Sequence, residues 1–223
     1  MEPLPVLAAA CLLFTVGMFC SGLSDLRWMI TAKSVENIQL LPFLTTDAKY
    51  TGVKLNLGWL GYGCLKQDRT LIVVNSIGAA LQSLYILVYF YYSTTKREVL
   101  LKVLGLLALL AVGYGCFTCL TPDEHTQQSY LGLFCSTFTI AMYVSPLADL
   151  AKVIRSRSTR CLSFPLTVTT FLASSSWTLY GLQLSDLYIT VPNVPGIVTS
   201  VVRLWLFWRY APGRDKPYRP LHA

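Results

Sequence analysis

Fixed charge is what this chain has least of. Only 13% of its 223 residues are Asp, Glu, Lys or Arg, against roughly a quarter in an ordinary soluble domain. The two histidines, His125 and His222, stand alone in a loop and in the C-terminal tail. No Asp/Glu/His series of the kind that relays protons through a membrane is present. Neither is a Gly-rich phosphate loop, a metal-ligand cluster or a nucleophile–base pair. These absences leave no support for an enzyme, a cofactor or a metal site. No Asn-x-Ser/Thr sequon points to glycosylation. The seven cysteines are odd in number and lie mostly in apolar stretches, so they form no disulfide framework. They read as small apolar side chains, the Cys116/Cys119 pair included.

Apolar residues take up the rest. They make 54% of the chain, and the mean hydropathy is +0.52. They fall into seven blocks: Leu4 to Leu26, Ile38 to Leu65, Leu71 to Tyr92, Val99 to Leu120, Tyr130 to Val153, Leu162 to Leu184 and Leu187 to Tyr210. A hydrocarbon core of ~30 Å takes about 20 helical residues, and each block reaches that length. Helices are expected because lipid cannot satisfy open backbone groups, while a barrel would show short alternating segments. The blocks therefore predict an all-α membrane protein with seven transmembrane helices and no separate extramembrane domain. Ala8-Ala9-Ala10 resembles a signal-peptidase site. The absence of a basic flank before it, and the apolar run that continues to Arg27, favour a retained first helix.

The net charge of +7 is distributed for a membrane, not for nucleic acid. Arg27 and Lys33 follow the first block; Lys96, Arg97 and Lys102 follow the third. Lys152, Arg155, Arg157 and Arg160 follow the fifth, and Arg209, Arg214, Lys216 and Arg219 the seventh. All these connections share one side. The opposite loops hold Lys66 and Arg69 beside Asp68, Asp123, Glu124 and Asp186. The positive-inside rule then puts the N-terminus outside (or lumenal) and the C-terminus in the cytosol, as an odd number of spans requires.

The chain also nearly repeats itself. Trp59-Leu60-Gly61-Tyr62-Gly63, Asp68, Asn75 and Gly78 recur as Trp177-Thr178-Leu179-Tyr180-Gly181, Asp186, Asn193 and Gly196, a shift of 118 (59 to 177). Ser21, Leu23, Asp25, Leu26 and Ser34 recur at Ser145, Leu147, Asp149, Leu150 and Ser158, a shift of 124 (21 to 145). The fourth block has no counterpart. Two three-span units of like orientation need one extra crossing between them, which predicts a 3+1+3 plan. Its expected divisions are 1–95 and 127–210 for the repeats, 96–126 for the linker helix and 211–223 for a cytosolic tail.

Asn75 and Asn193 place an amide inside the third and seventh blocks, where each needs a partner. Interhelical bonding would account for them; so would a shared cavity with a polar guest. Trp59 and Trp177 lie one helix earlier in each copy. An indole face packs on the C–H face of a pyranose while amides meet its hydroxyls, so the four residues suit a neutral polyhydroxyl compound. Helix breakers recur too: Gly22 with Pro146, and Pro42 with Pro165 to within one residue. Placed in helix interiors they would kink or loosen four helices and serve as hinges.

Over roughly residues 5 to 210 the chain resembles animal SWEET sugar transporters of the MtN3/saliva type. The stretches that carry the likeness are 21–26, Leu41-Pro42-Phe43, Asn75-Ser76-Ile77-Gly78, 143–150, Phe164-Pro165-Leu166-Thr167 and 177–193. The resemblance implies the 3+1+3 fold, homo-oligomers in lipid, and ion-independent, facilitated passage of mono- or disaccharides across a plasma or Golgi membrane. It implies a sugar held between Asn75 and Asn193, with Trp177 and Trp59 lining the pocket. The family's hinge prolines correspond to Pro42, Pro146 and Pro165, with Gly22 in place of the first. Two other readings stand beside it: a non-transporting seven-span receptor or trafficking partner, and an amino-acid exporter of the PQ-loop kind, although the Pro-Gln dipeptide is absent.

One feature departs from the family. The change of shift from 124 to 118 gives the first copy six extra residues before Trp59, expected within 48–54, which carries Lys49 and Lys54. As continuous helix these would turn Trp59 some 240° from its face, and each lysine at depth would cost roughly 2.5–3.5 kcal/mol. The expectation is an alternative form with the insert looped out or the first bundle disturbed.

Overall fold

In the computed structural model the described residues are 3–20, 23–35, 42–120, 123–144, 147–157, 159 and 162–210. They form nine helices: α1 (Pro3–Cys20), α2 (Leu23–Ala32), α3 (Pro42–Lys66), α4 (Arg69–Tyr92), α5 (Lys96–Leu120), α6 (Glu124–Val144), α7 (Leu147–Ser156), α8 (Phe164–Gln183) and α9 (Leu187–Arg209). The first and fifth apolar blocks are each divided, into α1–α2 and α6–α7, so nine helices make seven spans. By length and composition α1, α4 and α9 are each apolar enough to cross a membrane alone. α3, α5, α6 and α8, of 25, 25, 21 and 20 residues, also reach ~30 Å at 1.5 Å per residue.

Helix packing explains the repeat. α4 packs between α1 and α3, and α9 packs between α6 and α8, so the third span of each copy sits between the first two. The copies meet where α1 packs on α8 and α3 on α6. The result is a closed ring of six helices in the order α1, α4, α3, α6, α9, α8. α5 lies outside it against α3 and α4.

The repeated motif builds a tight hairpin in each copy. Gln67 and Ser185, 118 apart, take left-handed backbone with φ of 57° and 54°. Asp68 N–H then donates to Gly63 O at 2.9 Å and Asp186 N–H to Gly181 O at 2.8 Å, the six-to-one closure that satisfies helix-end carbonyls. The same aspartates start the next helices. Asp68 Oδ1 accepts from the N–H groups of Thr70 and Leu71, and Asp186 Oδ1 from those of Tyr188 and Ile189, as N-caps do. Lys33 and Arg157, also left-handed at φ 50° and 51°, directly follow α2 and α7 and lie 124 apart. Glycine at 181 brings the two helices together: a Cβ there would fall 2.8 Å from the Thr190 backbone nitrogen.

Two expectations change. α3 is one unbroken helix from Pro42 to Lys66, so no insert is looped out within 48–54. Its register is set from the hairpin end, where the shift of 118 holds. The extra residues lengthen α3 at its other end by about one turn, the remainder falling in 36–41, outside the described residues. Pro42 and Pro165, moreover, do not interrupt helices. Pro42 is the first residue of α3, and Pro165 lies in the first turn of α8 behind the Ser163 cap, where a missing N–H costs nothing. Gly22 and Pro146 lie outside the described residues, between α1 and α2 and between α6 and α7.

The prolines inside a helix are Pro192 and Pro195, on α9. Pro192 cannot donate to the Tyr188 carbonyl; Ser136 Oγ on α6 donates to it instead, at 2.8 Å. Neighbouring hydroxyls commonly restore such bonds in lipid.

Substituting Gly181→Ala forces its Cβ against backbone and is expected to lower stability by about 1–3 kcal/mol. Gly105→Ala on α5, with nothing within 4 Å, should leave stability unchanged or slightly raised. Thermal unfolding of the detergent-purified protein checks the pair, and equal effects would contradict the close hairpin.

Candidate functional site

Each tryptophan bonds across to the opposite repeat. Trp59 Nε1 on α3 donates to Thr139 Oγ1 on α6 at 3.1 Å, and Trp177 Nε1 on α8 donates to Thr15 Oγ1 on α1 at 2.9 Å. The threonines are themselves repeat partners, 124 apart. With its N–H engaged, each indole keeps its faces. One turn on, Tyr62 and Tyr180 stand edge-on to the tryptophans, with ring centroids 5.5 and 5.6 Å apart.

Asn75 and Asn193 lie two turns beyond the capping aspartates on α4 and α9. Asn75 Nδ2 donates to Leu71 O at 2.8 Å and Asn193 Nδ2 to Ile189 O at 2.7 Å. One amide N–H is therefore held by its own helix. Among the described residues the carbonyl oxygen and second N–H of each amide have no partner.

All four side chains line one cavity of about 780 Å³ inside the ring, within the ~300–1,000 Å³ usual for small-molecule sites. Its described lining also includes Thr15, Thr139 and Ser174, and no Asp, Glu or His; the one charged side chain is Arg203 of α9.

The hairpin end of the cavity is shut. Tyr62 donates its hydroxyl to Asp186 Oδ2 at 2.8 Å, and Tyr180 donates to Asp68 at 2.9 Å. Both bonds join one repeat to the other. Lys66 forms an ion pair with Asp186. Beneath these polar links Cys11, Cys135, Leu71 and Ile189 pack with the tryptophans and tyrosines in one buried cluster. From there the lining runs the other way, to Gly52, Gln82, Thr199 and Arg203.

Sequence reasoning named the tryptophans and asparagines and missed their partners. Thr15/Thr139 and Cys11/Cys135 obey the shift of 124, which was the available signal. Tyr62, Tyr180, Asp68 and Asp186 were visible as repeated letters but without a role.

Six spanning helices from two like-oriented copies, around a largely apolar cavity that carries a few polar groups and is closed at one end, have the architecture of a membrane transporter. The comparisons narrow the class. A family profile described as "Sugar efflux transporter for intercellular exchange" matches residues 5–97 and again 129–215, on either side of most of α5. The rat protein named sugar transporter SWEET1 is 59% identical over 217 residues, covering 97% of this chain and 96% of its own. Its Xenopus laevis namesake is 61% identical over 219 residues, covering 98% of each. A solved eukaryotic SWEET transporter, at 29% identity, superposes with a TM-score of 0.82 over 92% of this chain and 95% of that one. The chain belongs to the SWEET sugar transporter family.

Hydrogen bonds to charged acceptors contribute about 1.5–3 kcal/mol each. Tyr180→Phe should therefore shift the population away from the closed hairpin end by about tenfold or more. Spin labels at Arg69 and Leu187, the exposed first residues of α4 and α9, report that opening as longer distances. An unchanged distribution would mean these bonds do not hold the end shut.

Proposed function

We propose that this chain carries neutral mono- or disaccharides down their gradient, without ion coupling, by exposing the cavity alternately to the two faces of the membrane. The observation that carries the reading is the meeting of Asn75, Asn193, Trp59 and Trp177 on one cavity whose described lining offers no carboxylate. The amides retain groups that both donate and accept, which suits hydroxyls. The indole faces suit the C–H face of a sugar ring, and the relatives' names direct the guest to sugars. A few net hydrogen bonds of ~0.5–1.5 kcal/mol each hold the guest weakly, as rapid release requires.

In this reading the hairpin end faces outside or into a lumen, and the structure is the cytosol-open state. Arg27, Lys33, Arg155, Arg157 and Arg209 lie toward the open end, in keeping with the positive-inside rule. Residues 1–95 and 127–210 rock about the binding level, 96–126 links them, and 211–223 lies in the cytosol. Gly22, Pro42, Pro146 and Pro165 act as joints between helices and not as kinks within them. The plasma membrane or Golgi is the setting. Further copies of the chain are partners in the bilayer, with the exposed Leu101, Leu104 and Leu107 of α5 available to lipid or a second copy. A proton-coupled amino-acid exporter would need an acid at the guest. A receptor that does not transport would bind sugar and pass none.

Uptake of labelled glucose and sucrose into proteoliposomes, with and without a pH gradient, tests the proposal. Flux of at least one sugar is expected, equal in both conditions. Asn75→Ala and Asn193→Ala should each abolish it while expression persists. Retained flux in either variant would refute the pocket, and acceleration by a pH gradient would refute ion independence.

A further inference from the structure

The lower half of the cavity breaks the twofold pattern. Asn56 of α3 and Gln82 of α4 both line it, and Asn56 Nδ2 donates to Gln82 Oε1 at 2.9 Å. Their repeat positions, 118 later, are Ser174 and Ser200, so the second copy has no amide pair. There the space is closed differently, by the Tyr143 hydroxyl 3.0 Å from Ser174 Oγ. Phe19, at Tyr143's own repeat position, carries no hydroxyl to bond the amides.

The pair sits in a cradle made by two glycines. A Cβ on Gly78 of α4 would lie 2.8 Å from Asn56 Nδ2, and one on Gly52 of α3 would lie 2.7 Å from Gln82 Oε1. Each helix gives up a side chain where the other helix's amide lies. Gly78 is matched by Gly196, but Gly52 is matched by Thr170, so the second half of the cradle belongs to the first copy alone. Asn56 is only 7% exposed. After the mutual bond, Asn56 Oδ1 and both N–H groups of Gln82 have no partner among the described residues. That leaves an acceptor and donors side by side, the complement of a neighbouring pair of sugar hydroxyls.

Position gives the pair its meaning. Gln82 follows Asn75 by seven residues on one face of α4, about 10 Å nearer the open end. Asn56 precedes Trp59 by one turn on α3, about 5 Å nearer that end. A guest ring seated at Asn75, Asn193 and the tryptophans therefore has the amide pair one ring-length below it.

We propose that Asn56 and Gln82, cradled by Gly52 and Gly78, form a second sugar subsite that holds the outer ring of a disaccharide while the first ring occupies the level of Asn75 and Asn193. This rests on the transport reading above and adds to it that two-ring sugars are held better than one-ring sugars, through one repeat only. Interhelical bonding between the same amides is the competing account, and it would make no distinction between guests.

Binding of glucose and of sucrose to the purified full-length protein, by isothermal titration, decides between them. The unmutated chain should bind sucrose more tightly than glucose. In Asn56→Ser/Gln82→Ser, which installs the residues the second repeat carries, the ratio of sucrose to glucose affinity should fall at least fivefold. Gly52→Ala, which displaces the Gln82 amide without removing a polar group, should lower the same ratio. A ratio unchanged in both variants, whether or not the two affinities fall together, overturns the subsite and leaves the pair as a helix tie. Sucrose bound no better than glucose by the unmutated chain also overturns it. Should neither sugar bind or cross the membrane with the unmutated protein, the transport reading itself falls, and the subsite with it.

Discussion

Two aspartates carry the architecture. Asp68 and Asp186 each cap the helix that follows them, and each accepts a tyrosine hydroxyl from the opposite repeat. A carboxylate has about four acceptor positions, and the structure uses both oxygens of each. Because the cap ties the carboxylate to the start of α4 or α9, that helix start cannot move away from the opposite repeat without breaking the tyrosine bond. The group that begins the helix is thus the group that shuts the cavity. The two tyrosine bonds and the Lys66–Asp186 ion pair all join one repeat to the other at this end.

The two links are not equally protected. Asp186 is 5% exposed, and a buried carboxylate needs a compensating charge as well as hydrogen bonds. Lys66 supplies it, with its ammonium also 5.9 Å from the Tyr62 ring centroid. Asp68 is more exposed, has Leu184 at the position matching Lys66, and is served by Tyr180 and its own cap. The difference in burial accounts for a lysine on one side only, in a region that otherwise obeys the repeat closely.

How much was legible in the sequence follows from the same chemistry. The spacing of Trp59, Tyr62, Gly63, Asp68 and Asn75 is that of one helix end, a one-residue turn, a cap and two helical turns, and its recurrence at Trp177 made the pairing readable. Thr15 and Thr139 matched at the shift of 124, but a threonine in an apolar run carries no sign that an indole N–H from another helix reaches it, so their role was not readable. Pro42 and Pro165 were misplaced into helix interiors because apolar blocks run past helix ends, and hydropathy does not mark the first turn. Placing the extra residues within 48–54 erred likewise, since hairpin closure sets the phase of Trp59 and the added length lies at the other end of α3. The pair Asn56 and Gln82 has no repeat to betray it; only the glycines opposite reveal that space was made for it.

The repeats agree around the middle of the shared cavity and differ where each must hold itself together. Trp59 and Trp177, Asn75 and Asn193, and Thr15 and Thr139 keep matching chemistry on the two sides of that cavity. Away from that level the halves solve separate problems. α9 carries Pro192 beside Asn193, and the Tyr188 carbonyl this leaves, in the first turn of α9, is taken by Ser136, which fastens α6 to α9 toward the hairpin end. In the first repeat Val74 stands at the matching position and Leu12 opposite, so α4 needs no such tie. Its link to α3 is made lower down, by the amide pair over the two glycines. Toward the open end, then, both halves are tied, but by unlike pairs: Asn56 with Gln82 in the first and Tyr143 with Ser174 in the second.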